Sequence, residues 1–588
     1  MRFPSFSALI NQTKTVIARF PIQFIITLAA VYIALLLPDA SPVNENLLIR
    51  LLCFCLLAFA SSLAVTFFDS SFKIKTTTNI LFQLAAIVIS AGIMFWLKPD
   101  LWEKDIYILL IFIFSFHLAV SFAGFLKNDS IQSFWDFNII LFLRFLIAAL
   151  YSAVIILGLF AALAAIDNLF DANIHSKTYL RTFYVIAFGF NTVFFLAGVP
   201  ELNNFKSVAG YPKGLKIFTQ YVLIPLMSIY LVILFLYEMK IIVQWELPKG
   251  YVSYLILGYA IFGILSLLLV YPIRELEENK WIKWFSKFFY VMMIPLLVLF
   301  ILAIYKRLSD YGITEKRYIL IISAIWLSGI TLYFLWSKKQ NIKIIPISLS
   351  IIFLLTAFGP LGLSAVSKNS QINRLKKLVK NINSENKSQI TSVIAYLIKN
   401  HGLTSLQSFT DEDLGKTQSS ILKKMRGEPS YQIRQQLSDT AYSILKLNDL
   451  KIEFAAPAYK IFKKDNEKVV GIEGFDILYK IEFSNNKPDT IKIGNQALFI
   501  SYDNNEINII SEKDTIRFDL AAFSKGIAGK YSNELKNEII VPDSVLSETK
   551  SNEKMEIKLQ ITEFTHYPKH NYQKDKLDYA GFLLIRKK

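Results

Sequence analysis

The sequence predicts an α-helical polytopic membrane bundle of about 11 transmembrane helices, followed by a soluble α+β domain that ends in an antiparallel β-sandwich-like unit. Three observations predict it. The chain of 588 residues is 54% hydrophobic and only 19% charged, with 48 Phe and 28 Tyr, too apolar for a water-soluble protein of this length. The apolar residues gather into long charge-free runs before residue 368, and period-two alternation appears only near the C-terminus. Ionisable residues divide to match, with 28 Lys+Arg and 18 Asp+Glu in residues 1–367 against 35 and 28 in residues 368–588. The expected domains are a transmembrane helical domain over 1–367, a helical connecting region over 368–465 and a soluble β-rich domain over 466–588. The net charge of +17 is spread over both halves without a concentrated basic patch, so no nucleic-acid partner is expected.

A hydrocarbon layer about 30 Å thick requires about 20 helical residues, because backbone amides in lipid must be satisfied within the element itself. Eleven runs meet or approach this: Phe20 to Leu37, Leu51 to Phe68, Asn79 to Leu97, Ile106 to Leu126, Phe145 to Ile166, Thr182 to Pro200, Ile217 to Tyr237, Tyr251 to Ile273, Phe288 to Tyr305, Tyr318 to Trp336 and Ile344 to Val366. The first follows nineteen residues, ends in Leu-Leu-Leu-Pro-Asp and lacks a small-x-small cleavage pattern, so it reads as an uncleaved anchor. Short loops on the N-terminal side carry about 16 Lys+Arg against roughly 8 opposite, which places the N-terminus in the cytoplasm and the C-terminal domain outside it. Lys306, Arg307, Lys316 and Arg317 run against that bias. The expected location is the cytoplasmic (inner) membrane. Cys53 and Cys55 both fall in the second run and read as packing residues.

Beyond Lys368 the periodicity becomes helical and polar, through Leu375, Leu378 and Val379, then Ile390, Val393, Ile394 and Leu397, then Ile433, Leu437 and Ala441. Thr410 and Asp413 resemble a capping box. After about residue 470 the period falls to two, in Phe475, Ile477, Tyr479, Ile481 and Phe483, in Ile516, Phe518 and Leu520, and in Met555, Ile557, Leu559 and Ile561. This is the signature of antiparallel strands with one wet face. His566 and His570 flank Pro568, which breaks the helix a metal pair would need, so no metal or other cofactor is expected.

Ionisable groups inside a span are costly and therefore informative. His117 is mid-span in the fourth run, and Arg144 lies near the start of an extended fifth stretch, where it can snorkel to headgroups or pair with Asp136. Pro225 and Pro295, each within Ile-Pro-Leu, are candidate helix hinges in the seventh and ninth spans. Two loops expected to share the outer face contain Trp245-Glu246-Leu247-Pro248-Lys249-Gly250 and Asp310-Tyr311-Gly312-Ile313-Thr314-Glu315-Lys316-Arg317. From these, Glu246, Lys249, Asp310, Glu315 and Arg317 form a candidate ligand or partner surface. No Gly-x-Ser-x-Gly elbow, His-Glu-x-x-His or P-loop accompanies a span, so no catalytic residue is assigned.

These loops, with Asp167-Asn168-Leu169-Phe170, Phe195-Leu196-Ala197-Gly198-Val199-Pro200 and Tyr211-Pro212-Lys213-Gly214-Leu215-Lys216, make the chain similar to uncharacterised bacterial membrane proteins of domain-of-unknown-function family 4153. The resemblance implies a polytopic inner-membrane protein with an appended soluble domain and carries over no reaction or site. The expected function is non-enzymatic, with the outer domain binding an envelope protein, polymer or lipid. The alternatives are a transporter or channel with bent spans seven and nine and, third, a membrane-embedded enzyme.

Overall fold

In a computed structural model the chain divides into two compact units, Met1–Asn448 and Asp449–Lys588. The structure describes residues 6–72, 74–97, 103–127, 130–202, 211–244, 252–274, 280–380, 382, 386–425, 430–447, 460–464, 470–482, 488–493, 496–503, 506–511, 514–531, 538–567 and 576–588.

The first unit is helical. An opening helix α1 (Phe6–Arg19) leads into α2 (Pro21–Leu36), α3 (Pro42–Phe72), α4 (Thr76–Trp96), α5 (Glu103–Phe122) and α6 (Ile131–Phe170). Next come α7 (Ser176–Tyr184) and α8 (Asn191–Ala197), joined by a π-helical stretch Val185–Phe190, then α9 (Lys213–Phe218) and α10 (Ile224–Gln244), joined by another at Thr219–Leu223. α11 (Val252–Val270), α12 (Lys280–Tyr311), α13 (Glu315–Trp336) and α14 (Ile344–Ala357) complete the apolar series. Among the described residues, ten helical segments are long and apolar enough to cross a membrane. The expected eleventh span is shorter than the sequence suggests, because α14 has 14 residues and Gly359 and Gly362 follow in a turn. The fifth is longer: α6 has 40 residues, about 60 Å of helix.

Contacts between the helix ends sort the connections into two groups. At the proximal end, where α2 begins, Arg19 donates to the carbonyls of Val199 and Pro200, Ser71 Oγ donates to Ala123 O at 3.0 Å, and Tyr211 OH donates to Leu269 O at 2.8 Å. At the distal end, Lys177 and Arg181 pair with Asp39, and Arg50 donates to the carbonyls of Met94 and Leu97. Chain direction therefore alternates from α2 to α13, as successive spans require.

Lipid removes the hydrophobic drive between helices, leaving packing and buried polar contacts to hold them. Aromatic rings fill much of the core, with Phe67 edge-on to Phe137 and Tyr290 stacked on Phe334. Gln23 Nε2 reaches Ser62 Oγ at 3.1 Å and Gln83 Oε1 at 3.1 Å, tying α2 to α3 and α4.

After α14 the polar helices α15 (Leu363–Lys380), α16 (Lys387–His401), α17 (Leu414–Lys424) and α18 (Ser430–Ile444) belong to the same unit as the bundle. Of the apolar positions that suggested them, Leu375, Ile390, Val393, Ile394, Leu397, Leu437 and Ala441 are buried, and Leu378, Val379 and Ile433 are half-buried. Asp413 caps α17 by accepting from the Gly415 and Lys416 amides.

The second unit is two sheets on one core. β1 (Lys460–Lys464), β2 (Ile477–Glu482), β7 (Glu538–Val541), β8 (Ser547–Ser551), β9 (Met555–Tyr567) and β10 (Lys576–Lys587) form the first, in the order β2-β10-β9-β1-β7 with β8 also on β9. β3 (Asp489–Ile493), β4 (Gln496–Asp503), β5 (Glu506–Ser511) and β6 (Asp514–Asp519) form a meander. Ile557, Leu559, Ile561, Leu583 and Ile585 of one sheet meet Leu498, Ile500, Ile507, Ile509 and Phe518 of the other. Two details depart from the sequence pattern. β1 pairs with β7 in parallel, a long-range connection that alternation cannot reveal. Leu520 continues the alternation of Ile516 and Phe518 but opens α19 (Leu520–Lys530), because Asp519 accepts from the Ala522 amide and starts a helix. His566 lies in β9, whereas Pro568 and His570 fall outside the described residues.

Candidate functional site

The distal end of the bundle assembles a polar cluster, where the α12–α13 turn meets the helices that follow the last apolar segment. The turn is short. Gly312 takes φ +69°, a left-handed conformation that ends α12, and an added Cβ there would lie 2.9 Å from Gln371 Nε2. α15 clasps it. Gln371 Nε2 donates to the carbonyls of Tyr311 (2.8 Å) and Ile313 (3.0 Å), the Ile313 amide donates to Ser370 Oγ (2.9 Å), and Arg374 donates to Tyr311 O (3.0 Å) and Asp310 O (2.8 Å). These bonds satisfy carbonyls that a helix end leaves open.

Glu315, the first residue of α13, turns inward beneath the clasp and is 3% exposed. Its Oε1 accepts from Ser367 Oγ of α15 at 3.0 Å, its Oε2 accepts from Tyr396 OH of α16 at 2.6 Å, and His401 Nε2 lies 3.3 Å from Oε1. Ser367 Oγ also reaches Leu363 O at 2.7 Å. His401 is 4% exposed, and neither ring nitrogen makes a hydrogen bond among the described residues, so its 3.3 Å approach to Glu315 is a close contact only. Burial holds the His401 imidazole below the ordinary histidine range; the Glu315 contact opposes this, while Lys104 and Lys368 add to it, so the ring is neutral at pH 7. Burial and the adjacent Glu315 carboxylate together push the Tyr396 hydroxyl far up. A surface ion pair, Lys399 Nζ to Glu103 Oε2 at 2.8 Å, adds a second link from α16 to the bundle. The arrangement stores one carboxylate out of water against two hydroxyls and an imidazole, and joins three helices.

The candidate surface is therefore partly corrected. Asp310 and Arg317 stand at the turn, Asp310 exposed and Arg317 donating to Tyr311 O and Gly312 O, but Glu315 is not on a surface, because Ser367 and Tyr396 draw its carboxylate into the interior. Glu246 and Lys249 lie outside the described residues. His117 faces outward from α5 and bonds the carbonyl of Ile113 in its own helix at 2.7 Å rather than a neighbouring helix. Arg144 lies against Gly198, where any Cβ would collide with its side chain, while Asp136 accepts from Gln132 at 2.9 Å. Asp167 Oδ1 accepts from the Ile174 amide at 2.7 Å. Pro225 follows the π-helical stretch at Thr219–Leu223, a local rewinding that accommodates the missing amide, and Pro295 lies inside α12. Tyr211 packs on Trp135 with centroids 5.6 Å apart. Ser367, Gln371, Tyr396 and His401 were not legible as site residues, since each occupies one position of an ordinary amphipathic helix. No group of three or more His, Cys, Asp or Glu side chains that could hold a metal occurs among the described residues.

The family model described as "Domain of unknown function (DUF4153)" matches residues 24–389. That stretch takes in Glu315 and Ser367 and stops short of Tyr396 and His401. The chain is also similar to "Uncharacterized protein PM1469" of Pasteurella multocida (strain Pm70), 28% identical over 262 residues. The match covers 42% of this chain and 42% of that protein's length. No solved structure matches.

Proposed function

We propose that this chain, which belongs to the DUF4153 family, is an inner-membrane protein without catalytic activity of its own, whose bundle is followed in the chain by a C-terminal β unit that binds an envelope partner. The observation that carries this reading is the bonding of Glu315 to Ser367 and Tyr396. A flexible tether would suffice to retain a passive domain. A buried carboxylate shared by α13, α15 and α16 instead makes the polar helices continuous with the bundle, so that a load or change at one is felt at the other. The Lys+Arg count supports a cytoplasmic N-terminus and an extracytoplasmic distal end.

The test removes Asp449 to Lys588, leaving the first unit whole, in a strain lacking the native gene. Loss of complementation is expected. Full complementation by the truncated chain would end the reading. Tags at both termini, probed with a membrane-impermeant reagent on intact cells, test orientation separately; both ends facing one compartment would refute it.

A transporter or channel is the second reading. It is favoured by π-helical stretches in two successive spans, Val185–Phe190 and Thr219–Leu223, the latter next to Pro225, since such stretches often mark functional positions. Solute flux in proteoliposomes that is abolished by Pro225→Ala supports it, and flux indifferent to that change removes Pro225 from the route.

A further inference from the structure

We propose that the distal end of α12 binds an anionic phosphate group between Arg307, Arg317 and Arg374. The three guanidinium carbons, from α12, α13 and α15, lie 5.9, 5.3 and 5.7 Å from the centroid of one ring, Tyr311. Three like charges gathered around a half-exposed aromatic repel one another, and the Asp310 carboxylate, which acts favourably on Arg374, is one negative charge against three positive. None forms an ion pair with a carboxylate among the described residues. Glu315 is turned inward to Ser367 and Tyr396, and Asp310 Oδ1 accepts from Ser309 Oγ at 3.4 Å.

The protein's own bonds position the cluster without using it up. Arg317 donates through Nη1 to the carbonyls of Tyr311 and Gly312, and Arg374 donates through both terminal nitrogens to Tyr311 O, Asp310 O and Gln389 Oε1. Arg307 lies over the ring and, among the described residues, has no hydrogen bond or ion pair, so it keeps its donor fork. Paired N–H donors of guanidinium match phosphate oxygens. The location suits the same chemistry, because the last turn of α12 and the first of α13 are the ends of two apolar segments, where headgroups lie. The group can be carried by an acidic phospholipid or by a soluble phosphate compound. The site is independent of the proposed role of the β unit, and its test reads different residues.

The experiment uses the full chain in detergent micelles. Native mass spectrometry compares retention of phosphatidylglycerol with phosphatidylcholine, and inorganic phosphate is titrated as a competitor. Arg307→Gln and the double change Arg307→Gln/Arg374→Gln are set against Lys338→Gln at the opposite end. Phosphatidylglycerol is expected to bind preferentially, with roughly fivefold weaker binding in Arg307→Gln, a larger loss in the double variant and none in Lys338→Gln. Displacement of the lipid by inorganic phosphate identifies the soluble source; resistance to it identifies the headgroup. Because Arg307 makes no hydrogen bond in the described structure, its replacement is expected to leave thermal unfolding in lipid-free micelles unchanged. Equal retention of both lipids with no effect of phosphate, or equal losses in Arg307→Gln and Lys338→Gln, overturns the proposal.

Discussion

Replacing Glu315 by alanine tests whether the distal cluster is a rigid joint. The substitution deprives the Tyr396 hydroxyl of its 2.6 Å acceptor and removes the His401 contact at 3.3 Å, whereas Ser367 keeps its bond to Leu363 O at 2.7 Å. A hydrogen bond to a charged group contributes about 1.5–3 kcal/mol, and a buried hydroxyl left unpaired costs about 1–3 kcal/mol, so the opening of α16 should become easier by about 3 kcal/mol. Hydrogen exchange reads this directly. Amides of α16 that exchange by local opening should do so about 100-fold faster in Glu315→Ala, while amides of α11 keep their rates. Glu315→Gln retains a carbonyl acceptor for Tyr396 and should cost about 1 kcal/mol, roughly a fivefold acceleration. If α16 in the alanine variant exchanges within about twofold of the unaltered chain, the buried bonds contribute no rigidity and the joint does not exist.

Acidification should loosen the same helix. His401 is held neutral below its unfolded value of 6.5, chiefly by burial, so the unfolded segment takes up the proton first. Stability from this group is complete above 6.5 and falls as the pH drops through the folded value; the protection of α16, taken as the intrinsic amide rate divided by the observed rate at the same pH, should therefore fall from pH 7.5 to pH 5.5, and His401→Gln should flatten that dependence. Gly312→Ala forces a side chain into a left-handed position against Gln371 and should destabilise the turn by about 1–2 kcal/mol, seen as earlier proteolysis between α12 and α13. In the bundle, a Cβ at Gly263 would collide with the buried ring of Phe289, so Gly263→Ala should lower thermal stability in detergent by about 1–3 kcal/mol, and adding Phe289→Leu should recover part of it.

The resemblance drawn from the Tyr-Pro-Lys-Gly and Ser-Asp-Tyr-Gly-Ile-Thr-Glu segments agrees with the family match over residues 24–389. Part of the candidate site was legible by the same means, since Asp310, Glu315 and Arg317 occupy a polar loop between apolar runs. Their separation into an inward carboxylate and an outward guanidinium was not. Glu315 and Arg317 are two positions apart in the chain, but helical geometry places them on different faces of α13, and only one meets Ser367 and Tyr396.

The sequence by itself determined the solvent of each region. Long charge-free runs must become helices in lipid, and Met555, Ile557, Leu559 and Ile561 must turn to one side of a strand, because both outcomes depend on local order and burial alone. Only the tertiary structure decided which distant polar atoms meet. Ser367, Tyr396 and His401 stand 52, 81 and 86 positions beyond Glu315, and Arg374 lies 63 beyond Tyr311. No periodicity records such distances, and the chain brings those side chains together only by folding α15 and α16 back over the start of α13.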